Sequence, residues 1–221
     1  MAVVTNIVVY GAAGHGRVIA DMICADLRYN FLGFIDNYEC ESNYRGRGII
    51  GHELDAETVS KYAIDAVALG IGDNANRIKI AERICSHMKD IKIATLIHPS
   101  AVIAATVELG EGSVVFAGAV LQSGAKLGRG CIVNTSASLD HDSEMGDFSA
   151  LLPGARVAGN VKIGVGAVVC MGACVQNAVT IGNHAVIGAM SLIRGDVPDL
   201  AVCYGVPARV TRYRSRQERH L

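Results

Sequence analysis

The chain has no tryptophan, and aromatic residues make up only 5% of its 221 positions. Large rings usually dominate buried area, so this core has to be built from small and branched aliphatic side chains. That composition favours repetitive, closely stacked backbone. Charge is sparse as well: 19% of residues carry one and the net charge is -1. Such a balance gives no overall electrostatic case for binding nucleic acid or an anionic membrane, although the last thirteen residues are locally basic. No uncharged apolar run looks like a membrane-spanning helix. The apolar N-terminus lacks a basic leader and runs straight into a glycine-rich turn, unlike a cleaved signal. The seven cysteines are odd in number, without paired spacing, and no Cys and His cluster has metal-ligand spacing. The expectation is a cytoplasmic, metal-free protein with no membrane insertion.

What the chain does have is 51% apolar residues, ample for a buried core, and an internal period. Cut into sixes from Ala101 to Asp196, it gives sixteen units without insertion. The third residues are Ile103, Leu109, Val115, Leu121, Leu127, Val133, Leu139, Met145, Leu151, Val157, Ile163, Val169, Val175, Ile181, Ile187 and Ile193. Chance would produce such a run with a probability on the order of 10⁻⁸ before choice of frame. Gly110, Gly128, Gly146, Gly164 and Gly182 recur every eighteen residues, or three hexapeptides. This predicts a triangular β-helix with one hexapeptide per side, the third residue inward, and small residues such as Ala119 and Ala137 beside the corners. The glycines are expected to supply backbone freedom at turns. Coils stacked about 4.8 Å apart give a prism about 24 Å tall.

Inside the repeat runs Asn134-Thr-Ser-Ala-Ser-Leu-Asp-His141-Asp142. His141 takes the fifth position of its hexapeptide, outward or at a corner, and is not part of the aliphatic stack. A side chain with a pKa near ~6.5 suits a general base that takes a proton from a nucleophile near neutral pH. An adjacent carboxylate, Asp142 or Asp140, would orient the ring and stabilise its protonated form. Eighteen residues on is Gly159, about one strand spacing away, where a backbone amide without a side chain could donate to a developing oxyanion. Cys131, Cys170 and Cys174 fall on positions that small residues also fill, so they read as structural, and direct attack in a ternary complex is expected over an acyl-enzyme. His184 reads as a surface residue.

The first hundred residues follow another pattern. A strand at Ile7 to Tyr10 leads into Gly11-Ala-Ala-Gly14-His15-Gly16-Arg17 and then a helical run through Val18, Ile19, Met22 and Ile23. Strand, glycine turn and helix form a phosphate cradle, but the spacing is not that of a dinucleotide fingerprint. A second strand, Phe31 to Ile35, ends at Asp36, and a third, Ala66 to Gly70, leads to Ile71-Gly72-Asp73-Asn74. Groups at the carboxyl ends of parallel strands stand where open α/β sheets bind ligands. His98, in Thr95-Leu-Ile-His98-Pro99-Ser100, reads as a linker residue. The domains are expected at 1–97 (Rossmann-like α/β), 98–202 (β-helix) and 203–221 (C-terminal segment and basic tail), the far tail through Leu221 disordered.

The repeat resembles that of the hexapeptide acyltransferases, and this likeness implies a left-handed helix. The run around His141, the Gly-x-x-Gly-His-Gly turn, the Ile-Gly-Asp-Asn segment and Tyr204-Gly205-Val206-Pro207-Ala208-Arg209 resemble the NeuD-like sialic acid O-acetyltransferase family. Within it the likeness is to the bacterial nucleotide-sugar N-acetyltransferases of the PglD and PerB kind. The resemblance implies acetyl-CoA as cosubstrate, a nucleotide-linked 4-amino-4,6-dideoxysugar as acceptor, and a homotrimer with CoA between subunits. It makes His141 the base, Asp142 its partner, Asn134 a substrate-side hydrogen bonder and Gly159 the thioester contact. Gly14, His15 and Gly16 would lie by the sugar diphosphate, Asp36 near the base and Asn74 close by. Gly205, Val206, Pro207, Ala208 and Arg209 would lie against the CoA adenine, with Arg209, Arg212 and Arg214 attracting its phosphates. Several relatives carry a second histidine where this chain reads Phe148-Ser149-Ala150-Leu151, so that cofactor contact is missing. An O-acetyltransferase of the same fold and a non-catalytic nucleotide-sugar-binding scaffold are the alternatives, since a base for an amine also serves a hydroxyl.

Overall fold

The computed structural model describes residues 4–37 and 44–219, in two compact units: Met1–Gly72 with Asn76–Leu96, and Asp73–Ala75 with Ile97–Leu221. The first unit carries β1 (Thr5–Tyr10), α1 (Gly14–Cys24), β2 (Tyr29–Ile35), β3 (Ile49–Gly51), α2 (Ala56–Tyr62), β4 (Ala66–Leu69), α3 (Asn74–His87) and β5 (Lys92–Ile93). Its sheet is parallel throughout, in the order β3-β2-β1-β4-β5. The order reverses between β1 and β4, which is where an open α/β sheet opens a ligand crevice at its carboxyl edge. Ile7, Val8, Val9, Ala66, Val67, Ala68 and Leu69 are buried, as the near-continuous apolar runs of a parallel sheet covered on both faces should be. At that edge three glycines meet. A Cβ on Gly70 would stand 2.8 Å from the Gly11 carbonyl oxygen and 2.9 Å from the Gly16 Cα, so β1, β4 and the first turn of α1 approach closely only because all three are bare.

The second unit is the expected parallel β-helix. Each hexapeptide yields a two-residue strand at its second and third positions, from Val102–Ile103 to Leu192–Ile193, and strands eighteen residues apart pair in register, as in Leu121↔Leu139 and Leu139↔Val157. Three sheets result, one per prism side. From Val115 to Ile193 every third-position residue is buried, while Ile103 and Leu109 in the first coil are half-buried. Ala119, Ala125, Ala137, Ala155, Ala167, Ala173 and Ala185 are fully buried beside the corners.

The glycine rhythm has a different cause from the one expected. Gly110, Gly128, Gly146, Gly164 and Gly182 do not have positive φ. They are bare because coils touch there: a Cβ on Gly146 would lie 2.8 Å from the Val165 nitrogen, and one on Gly164 2.6 Å from the Asn183 nitrogen. The left-handed corner is instead the sixth position, which takes Gly and several other residue types. From Gly112 to Met190 every sixth position has positive φ, including Ser136, Asp142, Phe148, Asn160, Ala178 and His184.

The outer sides differ in chemistry. One presents Glu108, Lys126, Glu144, Lys162 and Thr180 to solvent, alternating in sign up the stack, with Lys126 3.3 Å from Glu108. Another presents Val114, Ile132, Ala150, Val168, Val186 and Val202, all buried. The helix ends in a hairpin that the repeat did not announce. Ala201–Gly205 continues the parallel stack on Val186–Ile187, turns at Val206 and Pro207, and returns antiparallel as Ala208–Tyr213. The expected disorder of the far tail falls partly on His220 and Leu221, outside the described residues; Glu218 before them meets Arg212 at 2.6 Å.

Candidate active site

His141 stands at the corner between strands Ser138–Leu139 and Glu144–Met145. Its Nδ1 lies 3.0 Å from Asp142 Oδ2, while its backbone N–H donates to Asp140 Oδ1 at 2.8 Å. The two flanking carboxylates therefore have separate jobs: Asp142 orients the ring, and Asp140 fixes the backbone that carries it. Asp142 does so from the left-handed corner, at φ 56°, a conformation that Asp adopts more readily than most residues. The hydrogen bond to Asp142, with smaller help from the charges of Asp140 and Asp142, holds the His141 pKa above its ordinary value. Both side chains are more than half exposed, so the pair faces solvent.

Gly159 lies against that ring. A Cβ on it would collide with His141 Nε2 and would stand 2.9 Å from Cδ2. Its carbonyl accepts from Ala178 in the next coil and the neighbouring Asn160 N–H donates back to the His141 carbonyl, at 3.0 and 2.9 Å. Its own N–H has no partner among the described residues. This is a property of the repeat: the coil-to-coil ladder leaves the fifth-position N–H unused. At some corners a side chain accepts it, as Asp147 does for Arg129, Asn134 for Thr135 and Asn183 for Val165. At Gly159 the donor stays open beside the imidazole.

The same edge continues upward through Asn177 to Gly195 at fifth positions, eighteen residues per step. Near Gly195 lies a cavity of about 450 Å³ lined by Arg194, Asp196, Cys203, Pro207, Ala208 and Arg209 among others. Three coil spacings, about 14 Å, separate it from the His141 level. Of the C-terminal run named from sequence, Pro207, Ala208 and Arg209 line this cavity, while Gly205 and Val206 do not.

Other sequence-selected residues sit elsewhere. Asn134 occupies the preceding corner, one prism side from His141, with its Oδ1 accepting the Thr135 N–H at 2.8 Å. Asn74 is buried, and its amide donates to the Gly166 carbonyl at 3.1 Å, which commits one of its donors to the β-helix backbone. In the first unit, Gly14 opens α1 with free space around its Cα, whereas Gly16 is buried because a Cβ there would strike the Gly11 carbonyl. The helix has no side-chain N-cap and no acid in its first turn, which leaves its N–H groups suited to an anion. Asp36 Oδ2 accepts the Ala12 N–H at 2.7 Å and so braces the glycine turn from the end of β2. Burial, helped by the Arg77 charge, pushes the His15 pKa down to about 4, so His15 offers this turn a neutral imidazole.

Two of the thiols weighed from sequence are unsuited to nucleophilic work. Cys131 is buried and directed at the Gly146 carbonyl, 3.3 Å away, and burial pushes the Cys170 thiol up to about 11. His184 is half-buried at a left-handed corner, its pKa lowered by burial and by Arg216 and Arg214. His98 accepts the Ser100 N–H at 3.1 Å and starts the first coil, as a linker residue would. Among the described residues no His, Cys, Asp and Glu group has a metal-binding arrangement, and no helix is long and apolar enough to cross a membrane.

Residues 6–84 match the PglD N-terminal domain family. The chain is 33% identical over 114 residues to the UDP-N-acetylbacillosamine N-acetyltransferase of Bacillus subtilis, a match spanning 51% of each protein. Two solved structures align along nearly its whole length. One is the acetyltransferase domain of PglB from Neisseria gonorrhoeae in complex with acetyl coenzyme A, at 33% identity and TM-score 0.84, covering 94% of this chain and 99% of that one. The other is a histidine-to-alanine variant of GDP-perosamine N-acetyltransferase from Caulobacter crescentus with CoA and GDP-perosamine, at 30% identity and TM-score 0.86, covering 94% and 97%. With an α/β unit ahead of a left-handed β-helix, and this corner on its edge, the molecule is a hexapeptide-repeat acyltransferase. Within that class it belongs to the family of PglD-like and PerB-like acetyltransferases.

Proposed function

We propose that the chain transfers the acetyl group of acetyl-CoA to the amino group of a nucleotide-linked 4-amino-4,6-dideoxysugar. The observation that carries this reading is the corner itself: His141 held by Asp142 at 3.0 Å, with Gly159, whose N–H is open, packed against its Nε2 side. The sugar amine attacks the thioester carbonyl, and its proton passes to His141 Nε2 as the C–N bond forms. Negative charge on the former carbonyl oxygen is met by the Gly159 N–H, an interaction worth roughly 3 kcal/mol where single oxyanion donors have been removed. Collapse breaks the C–S bond, and the imidazolium returns the proton to the departing CoA thiolate. CoA extends along the His141 edge to the cavity at Pro207, Ala208 and Arg209, the reach of its pantetheine arm matching the three-coil separation.

The acceptor's diphosphate belongs at Gly14, His15 and Gly16, its base near Asp36, with Asn74 close by and Asn134 as a hydrogen bonder to the sugar. His15, being neutral, donates a hydrogen bond there without adding charge. The chain works as a homotrimer in the cytoplasm with CoA between subunits, which light scattering on a sizing column tests. The chemical test is steady-state turnover of His141→Ala with acetyl-CoA and a 4-amino nucleotide sugar. Loss of about 10²- to 10⁴-fold is expected for a general base, and unchanged turnover overturns the assignment. Matched hydroxy sugars run in parallel should react poorly; a preference for them makes the enzyme an O-acetyltransferase.

A further inference from the structure

Ser143 is a hydroxyl in a column that is otherwise aliphatic. First positions along the His141 edge read Val107, Ala125, Ser143, Val161, Val179 and Val197. Ser143 is fully buried, and its Oγ donates to the Ala158 carbonyl at 2.9 Å while accepting the Val161 N–H at 3.0 Å. In neighbouring hexapeptides the fourth-position carbonyl takes the N–H three residues on directly, as in Ala137 to Asn134 and Ala155 to Leu152, both 3.0 Å. At Ala158 to Val161 the serine hydroxyl stands between the two groups.

The Ala158 carbonyl and the Gly159 N–H belong to one peptide plane. A hydrogen bond accepted by the oxygen of an amide fixes that plane and draws electron density from its nitrogen, which strengthens the N–H as a donor. We infer that Ser143 is a positioning residue for the reaction: it holds and polarises the Ala158–Gly159 peptide so that the Gly159 N–H stays aimed beside His141 Nε2 and meets the oxyanion without reorganising. The inference rests on the proposed role of Gly159. Ser143 also belongs to the coil that begins just after Asp142, so the same hydroxyl fastens the coil of the glycine to the chain leaving the base.

The molecule supplies its own control. Ser113, also fully buried, makes the same two bonds at another edge: Oγ to the Gly128 carbonyl at 2.9 Å and from the Cys131 N–H at 3.0 Å. Ser113→Ala removes the structural bridge away from the site, and Ser143→Ala removes it at the site, where Ala125 shows that alanine fits the position. Both variants should lower the melting temperature by similar small amounts. Ser143→Ala alone should lower kcat, by about tenfold, with KM for acetyl-CoA and the apparent pKa of the kcat profile unchanged, and Ser143→Thr should restore most of the rate. Equal kcat in Ser113→Ala and Ser143→Ala overturns the inference, as does a Ser143→Ala defect confined to KM. His141→Ala, run alongside, separates the two claims: if it is inactive while Ser143→Ala is fully active, the positioning role fails and the base stands. If His141→Ala retains full turnover, the functional reading itself fails.

Discussion

The imidazole of His141 occupies the space that a side chain on Gly159 would need: a Cβ there would collide with Nε2 and stand 2.9 Å from Cδ2. Gly159→Ala should therefore push the ring off the amide instead of disturbing the stack, because the obstructing atoms are the far end of an exposed side chain. Turnover should fall by about 10²-fold, the scale of losing one oxyanion donor, while the melting temperature moves by no more than about 2 °C, as for a surface change. Thermal melting together with kcat checks both; a large melting loss would mean that the glycine serves packing.

Gly164→Ala should do the opposite. The atoms facing a Cβ there are backbone, with the Asn183 nitrogen at 2.6 Å and the Gly182 carbonyl carbon at 2.7 Å. They cannot yield without parting two coils that the Gly164 N–H joins to Ile181 at 2.7 Å. Overpacking of this kind costs about 1–3 kcal/mol, or roughly 3–10 °C for a chain of this size. Calorimetry on the variant, with kcat at a permissive temperature near wild type, is the check.

These two glycines show how far the sequence could be read. The six-residue period located the strands from Val102–Ile103 to Leu192–Ile193 and put Gly159 beside His141, because parallel stacking turns a spacing of eighteen into a spatial neighbour. It did not distinguish glycines that turn the chain from glycines that let coils touch. Hydropathy records that a residue is small, whereas the need for smallness lies in backbone that arrives eighteen residues later. Asp142 at a left-handed corner was invisible because residues as different as Gly, Phe, Ala, His and Met also take the sixth position. The period alone gave no reason to single out Ser143. The one legible signal was a hydroxyl in a column of Val and Ala, and its meaning required knowing which peptide it touches. The closing hairpin lay outside the period, and so outside what periodicity could find.

Arg209 lines the cavity at the end of the catalytic edge and is exposed. If that cavity receives the phosphates of CoA, Arg209→Ala raises KM for acetyl-CoA by about tenfold and leaves kcat within about twofold, since the lost contact is equally strong in ground and transition states. The wild-type KM should rise with salt more steeply than that of the variant, because an exposed arginine is screened over about 8 Å at physiological ionic strength. A KM unaffected by the substitution at both low and high salt removes Arg209 from the cofactor site.

The division of labour between Asp142 and Asp140 predicts a pH signature. If His141 is the base, it must be unprotonated to act, so kcat/KM rises with pH through its pKa, and that pKa is held above its ordinary value chiefly by the hydrogen bond to Asp142. Asp142→Asn keeps a side chain that tolerates the left-handed corner but removes the charge that stabilises the imidazolium. The rising limb should then shift to lower pH, toward the ordinary histidine value near 6.5, while the plateau rate falls because a less basic imidazole accepts the proton less readily. Asp140→Asn retains an oxygen to accept the His141 N–H and loses only the smaller charge contribution. Its limb should shift less and its plateau should stay near wild type. A larger shift for Asp140→Asn than for Asp142→Asn would reverse the roles assigned to the two carboxylates, and proton titration of His141 by NMR in each variant would show which of them the ring answers to.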